Sequence, residues 1–359
     1  MAAPVLLGLL AAGTCFVAPV EAPVTDPFRR PPCEWCAGNR GIEFGPTTGR
    51  EVIAVASKRS EGREIPFGRG LLTVRALDES VLKGVDLVLL DTPDEVVRQW
   101  APRAVEAGAV VVDNSAAWRM EADVPLVIPE INPQAIEGHK GIIASPNCTT
   151  IGVAVALWPL HQAFSAEQVV VSSYQAVSGA GSAGVEELRE QVQKLINEID
   201  SLGSGTQGGT VPDPSVFVAP IAFNVVPMVG STRQEGFTGE EVKMVQETRK
   251  ITGLPQLKYF ATCVRVPSVV GHGATVYVEF RSEVDVQQAL QVLREAPGVQ
   301  IEEVPNPLAA AGTDPVYVGR VRRDPSNARA LCFFSVMDNL RKGAALNTVQ
   351  IAELLLSAS

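Results

Sequence analysis

The chain has 359 residues, 46% of them hydrophobic and 19% charged, with a formal net charge of −10. That length and apolar content predict about two globular domains of ~100–200 residues each. The acidic balance excludes nucleic acid and anionic membrane surfaces as partners, so an anionic ligand must be held by local cations or helix ends.

From Ala2 to Val20 the chain is apolar but interrupted by Pro4, Gly8, Gly13 and Pro19, and no cation precedes Arg29. A secretory signal needs a basic start, and a membrane span needs an unbroken apolar run. Neither is present, so a cytoplasmic location is expected. Residues 21–50 carry proline, glycine and arginine without periodicity, and residues 1–45 are expected to be irregular or foreign to the fold. The six cysteines are scattered, which fits a reducing compartment. Only Cys33 and Cys36 lie close together, and no second pair or histidine accompanies them to make a metal site.

A regular pattern begins at Val52. Short apolar runs at Val52–Ala56, Val85–Leu90, Ala109–Asp113, Val124–Ile128 and Gly141–Ala144 predict strands, with a helix between Pro93 and Ala107. Nearly continuous apolar strands separated by helices indicate a parallel sheet covered on both faces. The predicted fold is therefore α/β, a doubly wound Rossmann-like domain whose ligands sit at the carboxyl ends of its strands.

Ser145-Pro-Asn-Cys148-Thr-Thr-Ile-Gly152 follows, at the start of an apolar helix reaching Phe164. A thiol at that position faces unpaired N–H groups and the positive dipole end, which favour the reactive thiolate. The bland alternative is a small buried hydrophobe. Beyond it the character changes to an α+β pattern. Strands are predicted at Gln168–Ala176, Lys258–Val266, Ala274–Phe280, Val316–Val321 and Leu331–Val336, on a mainly antiparallel or mixed sheet. Helices are predicted at Val185–Ile199, Glu240–Ile251, Val284–Glu295 and Leu346–Leu355, the last packing back on the first domain. Thr238 and Glu241 have capping-box spacing, while Glu240 and Lys243, three apart, share one helix face. Gly179-Ala-Gly-Ser-Ala-Gly184 matches G-x-G-x-x-G, but no regular parallel βα units follow it. It reads as a site-forming loop that lets backbone approach a ligand, not as the main cofactor fold.

Six separated motifs then point one way: Asp113–Met120, Val124–Asn132, Ser145–Thr150, Tyr174–Gly181, Ala261–Pro267 and Ser335–Ala345. In this order they resemble bacterial aspartate-semialdehyde dehydrogenase, from about Val52 to Glu353. The resemblance implies NADP-dependent reductive dephosphorylation of 4-phospho-L-aspartate to the semialdehyde through a cysteine thioester, leading to lysine, threonine and methionine. It implies Cys148 as nucleophile, His272 as acid/base titrating near the operating pH, and Gln175 orienting the substrate. Gly271 and Gly273 are expected to leave His272 accessible. Arg265 is implied as the carboxylate clamp and Glu240 as the partner of the substrate amine, with Arg119, Asn147 and Lys243 around phosphate. Arg59, Ser60, Ser178, Gly179 and Asn339 are implied to lie against NADP, with no metal. A homodimer is implied, with residues 1–147 and 339–359 as the dinucleotide-binding domain and 148–338 as the catalytic and dimerisation domain.

One departure stands beside the match. The family opens with a strand and a glycine-rich turn, and neither is evident before Val52; Gly45-Pro-Thr-Thr-Gly49 lacks the spacing. The first βα unit is expected to be replaced, leaving a gap in the sheet and a weakened pyrophosphate site, through a misassigned start. A non-catalytic dimerising paralogue and an acetylglutamyl phosphate reductase are the alternatives.

Overall fold

The computed structural model describes residues 5–8, 52–67, 70–202 and 212–357. The apolar runs of the first half pair side by side as parallel strands. These are β1 (Val5–Gly8), β2 (Val52–Ala56), then, after a separate hairpin of β3 (Glu64–Phe67) and β4 (Gly70–Thr73), β5 (Arg75–Ala76), β6 (Leu87–Leu90), β7 (Val110–Asp113) and β8 (Ile142–Ala144). Their order across the sheet is β5-β2-β1-β6-β7-β8. Successive side chains alternate between faces, and each face is covered. Val88, Leu90 and Val111 pack with Val97, Ala101 and Ala104 of α1 (Asp94–Glu106). Leu87, Leu89, Val112 and Ile143 pack instead with Ile351 and Ala352 of the C-terminal helix. The strand order reverses at β1, the place where such sheets open a ligand crevice.

The expected gap ahead of Val52 does not exist. β1 fills the central slot, with Val5 in register with both Val52 and Leu87. A ladder needs only consecutive backbone donors and acceptors, so a four-residue strand escapes a reading based on long apolar periodicity. The rest of the irregularity expected for residues 1–45 lies outside the described residues, as do Cys33 and Cys36. A second correction concerns Val124–Ile128, which makes only an isolated bridge from Leu126 to Ala144. Its backbone is taken up by a side chain: Asn132 Oδ1 accepts from Ile128 N–H (2.9 Å) while Asn132 Nδ2 donates to the Leu126 carbonyl (2.9 Å).

The second half builds a mixed six-stranded sheet. α2 (Cys148–Phe164) leads to β9 (Ala166–Gln175), α3 (Gly181–Leu195) and the short turn α4 (Ile199–Leu202). Then come α5 (Gly239–Thr252), β10 (Lys258–Arg265), β11 (His272–Phe280), α6 (Val286–Glu295), β12 (Val299–Ile301), α7 (Pro307–Ala310), β13 (Val316–Asp324), β14 (Asn327–Met337) and α8 (Leu346–Ser357). The order is β10-β9-β11-β14-β13-β12. β9 runs parallel to β10 and antiparallel to β11. α2 is apolar all round and correspondingly buried along most of its length. Val169, Val171, Cys263, Val276 and Phe333 face it in one core cluster with Ile151, Ala154 and Leu157. Tyr174 and Phe260, on the opposite face of the sheet, are exposed.

Candidate active site

α2 begins at Cys148 because Asn147 caps it. Asn147 Oδ1 accepts from the N–H groups of Thr149 (2.9 Å) and Thr150 (3.3 Å), satisfying two donors the helix cannot. A π-helical turn, Arg341–Ala345, lies behind the cysteine. Gly343 comes so near that a Cβ there would lie 2.9 Å from Cys148 Cβ. This position has room for glycine alone.

Three neighbouring strands bring the other groups. Parallel register sets Gln175, the last residue of β9, beside Arg265, the last residue of β10. His272 opens β11, which runs back alongside them. Ala176 joins the last two: its carbonyl accepts from Arg265 Nη1 (2.7 Å), and its N–H donates to His272 Nδ1 (3.1 Å). A neutral imidazole whose Nδ1 accepts carries its proton on Nε2. That Nε2 is buried with no hydrogen-bond partner among the described residues. A Cβ at Gly179 would meet Arg265 Nη1 at 2.8 Å and His272 Nε2 at 3.0 Å. The close approach expected at this glycine is thus made by two side chains of the site.

α5 supplies the acidic side. Its capping box is present as expected, with Thr238 and Glu241 each bonding the other's backbone N–H. Glu240 is therefore left to the site, where Oε1 accepts from Asn147 Nδ2 (2.9 Å) and Gln175 Nε2 (3.4 Å). Lys243 Nζ stands 3.8 Å from Glu240 and remains partly exposed. One turn further, buried Glu247 accepts from the Asn147 N–H (2.7 Å) and pairs with Arg119 Nη1 (3.2 Å). Glu247 is absent from the sequence expectations, although it continues the Glu240–Lys243 face of the helix. Arg119 also donates to the Asn114 carbonyl (2.8 Å), and its Nε has no hydrogen-bond partner among the described residues.

Ser178 and Asn339 meet, Asn339 Nδ2 donating to Ser178 Oγ (3.0 Å) while Asn339 Oδ1 accepts from the Gly271 N–H (2.8 Å). Asn339 thereby fixes the turn that leads into His272. Arg59 and Ser60 are not part of this cluster. They occupy the 3₁₀ turn Lys58–Ser60 at the carboxyl end of β2, the strand beside β1.

The comparisons with known proteins bear on the same residues. Residues 48–139 match the family described as "Semialdehyde dehydrogenase, NAD binding domain", and residues 157–342 match "Semialdehyde dehydrogenase, dimerisation domain". The aspartate-semialdehyde dehydrogenase of Mycolicibacterium smegmatis is 45% identical over 84% of this chain and 89% of its own length. The chain belongs to the aspartate-semialdehyde dehydrogenase family. A solved structure of aspartate semialdehyde dehydrogenase II from Vibrio cholerae superposes with a TM-score of 0.79, at 41% identity over 86% of this chain and 90% of that one. A Candida albicans structure of the enzyme with NADP gives a TM-score of 0.62 at 25% identity, covering 87% and 92%.

Three expectations about the dehydrogenase site are corrected by its electrostatics. Cys148 is not predisposed to ionise. Burial pushes its thiol up to about 11, and the Glu240 carboxylate adds to this, outweighing Thr149, Arg119 and Arg265. His272 is not accessible; it is 3% exposed. Nor does it titrate near neutrality, because burial and the adjacent Arg265 guanidinium lower it to about 3. Helix position argues for a thiolate and residue type for an imidazole titrating near neutrality, but desolvation decides against both.

Proposed function

We propose that the chain converts 4-phospho-L-aspartate to L-aspartate 4-semialdehyde with release of phosphate, using NADPH, through a thioester on Cys148. What supports this most is that Ala176, at the end of β9, ties a cationic fork to an imidazole whose Nε2 is unpartnered among the described residues, while that fork and the buried Glu240 carboxylate both act on the helix-tip thiol. Arg265 grips the substrate carboxylate with the edge its Ala176 contact leaves free. Glu240 receives the ammonium, and Gln175, bonded to Glu240, sets the acyl carbon against sulfur. Arg119, Asn147 and Lys243 surround the phosphate. An ammonium on Glu240 offsets the negative charge that faces the thiol, so binding eases ionisation.

The sulfur attacks the acyl carbon, the bond from that carbon to the phosphate oxygen breaks, and the thiol proton leaves with the phosphate. His272, neutral and protonated at Nε2, donates to the acyl oxygen as charge collects there. NADPH, when bound, supplies the hydride that takes the thioester to the aldehyde.

The chain's residues fit that cofactor. Immediately past β2 stand Ser57, Lys58, Arg59 and Ser60, a cationic and hydroxyl set suited to a 2′-phosphate. A ribose 2′-hydroxyl would be met by a carboxylate instead. Ser178, Gly179 and Asn339 would face the nicotinamide end. The dinucleotide-binding domain comprises 1–147 and 339–359, and the catalytic and dimerisation domain 148–338. The chain works as a homodimer in the cytoplasm. Reverse-direction assay with semialdehyde, phosphate and either nicotinamide cofactor tests the reading. NADPH formation that Cys148→Ala abolishes supports it, whereas turnover surviving that substitution rejects the thioester route. Preferential use of acetylglutamate semialdehyde would assign the chain to the related reductase.

A further inference from the structure

Phe217 sits in the loop that precedes Ile221, between exposed Val216 and Val218, yet its own ring turns inward. There the ring lies under the Arg265 guanidinium, whose carbon is 5.7 Å from the ring centroid. An aromatic face in this position attracts the cation and removes water from one side of the fork.

Two buried side chains of α3 hold the loop. Glu187 accepts from the Ser215 N–H (3.0 Å), the Ser215 hydroxyl (2.8 Å) and the Val216 N–H. Gln191 donates to Glu187 (2.9 Å), and its Oε1 accepts from the N–H groups of Ile221 (2.8 Å) and Ala222 (3.0 Å). The loop is thus tied down on both sides of Phe217. Gly184 borders the seat: a Cβ there would meet the Val177 carbonyl oxygen at 2.6 Å and Phe217 Cζ at 3.0 Å. Both outer glycines of the G-x-G-x-x-G stretch therefore lie against protein groups, Gly179 against the Arg265–His272 pair and Gly184 against the Val177 carbonyl and the ring.

We propose that Phe217 is a specificity-determining residue for the substrate carboxylate, and that Glu187 and Gln191 are positioning residues acting through it. The proposal rests on the reading of Arg265 as the carboxylate clamp. With one face of the guanidinium covered and Nη1 engaged by Ala176, a carboxylate must enter in the plane of the remaining edge. A dry aromatic wall strengthens that contact, because charge attraction grows as water is excluded.

The test measures reverse-direction kinetics of the full-length enzyme for Phe217→Leu, Phe217→Tyr, Glu187→Ala and Arg265→Lys, alongside succinate as a competitor of the semialdehyde. Phe217→Leu keeps apolar bulk but loses the π face. It should raise the KM for semialdehyde and the Ki of succinate about tenfold, with the KM for phosphate and kcat changed less than about twofold. Phe217→Tyr should restore wild-type values, and Glu187→Ala should shift the same two constants in the same direction as Phe217→Leu. An unchanged semialdehyde KM in Phe217→Leu, or equal rises for semialdehyde and phosphate, overturns the proposal. If Arg265→Lys leaves semialdehyde KM and succinate Ki unchanged, the clamp reading itself fails, and the role of Phe217 fails with it.

Discussion

At Cys148 two effects of opposite sign compete, and burial wins. The start of α2 contributes dipole stabilisation of an anion on the order of 1 kcal/mol, while desolvation and Glu240 together hold the thiol near 11. Alkylation of the free enzyme by iodoacetamide should therefore inflect well above the pH of an ordinary thiol. Removing the facing charge with Glu240→Gln should move that inflection to lower pH; an unchanged profile would show that Glu240 does not act on the sulfur. His272 gives a stability prediction with a definite sign. Its folded value, about 3, lies below the ordinary 6.5, so the folded state binds fewer protons between the two. Stability is complete above about pH 6.5 and falls with acidification by up to ~1.4 kcal/mol per pH unit until the folded value is reached. Denaturant titrations from pH 7 to pH 4 should show this slope, and His272→Gln should lack that share of it.

Among the elements, the π-helical turn Arg341–Ala345 holds the most unusual chemistry. Lys342 is 1% exposed and donates to Glu130 (2.6 Å), Asn347 (3.1 Å) and Gln350 (2.7 Å), so all three ammonium donors have acceptors. Burial lowers its affinity for a proton, and Glu130 opposes that effect. Together with the Arg341–Asp314 ion pair, this network fixes the turn that presses Gly343 on Cys148. Lys342→Met should cost about 3–5 kcal/mol in urea unfolding because it strands a buried carboxylate. Adding Glu130→Gln should recover a large part of the loss, and a loss as large in the double variant would refute the pairing argument. Local chemistry made other elements legible beforehand. Asn147 ahead of an apolar run marked the start of α2, and Thr238 with Glu241 marked α5. Where tertiary contacts supplied the partner, the sequence reading failed. Asn132 claims the backbone of Val124–Ile128, β1 depends on strands far along the chain, and the proton affinities of Cys148 and His272 follow from burial by distant segments.

For the whole molecule, the asymmetry of the second sheet is decisive. One face of β9, β10, β11 and β14 is covered by α2 and α5, whereas the other carries Val170, Tyr174, Phe260, Val264, Tyr277 and Phe334. Tyr174 stacks with Phe334 at 6.1 Å between ring centroids, and Phe260 meets Phe237 edge-on at 5.9 Å. These rings leave Phe260 51% exposed and Tyr174 37% exposed. Exposed rings set among Ser172, Thr262 and Thr275 suit a subunit contact, and the face belongs to the segment matched as a dimerisation domain. Its strands also carry Gln175, Arg265 and His272 at their termini, so pairing two copies here would stiffen the frame of each active site. Phe260→Asp places a charge on that face at its edge strand, without touching the core side of β10. Light scattering should show the dimer dissociating at micromolar concentration, since a buried unpaired carboxylate is costly at an interface. Turnover should fall along with dimer content, and both should recover together as protein concentration rises. A Phe260→Asp enzyme that remains a dimer would place the subunit contact elsewhere on the molecule.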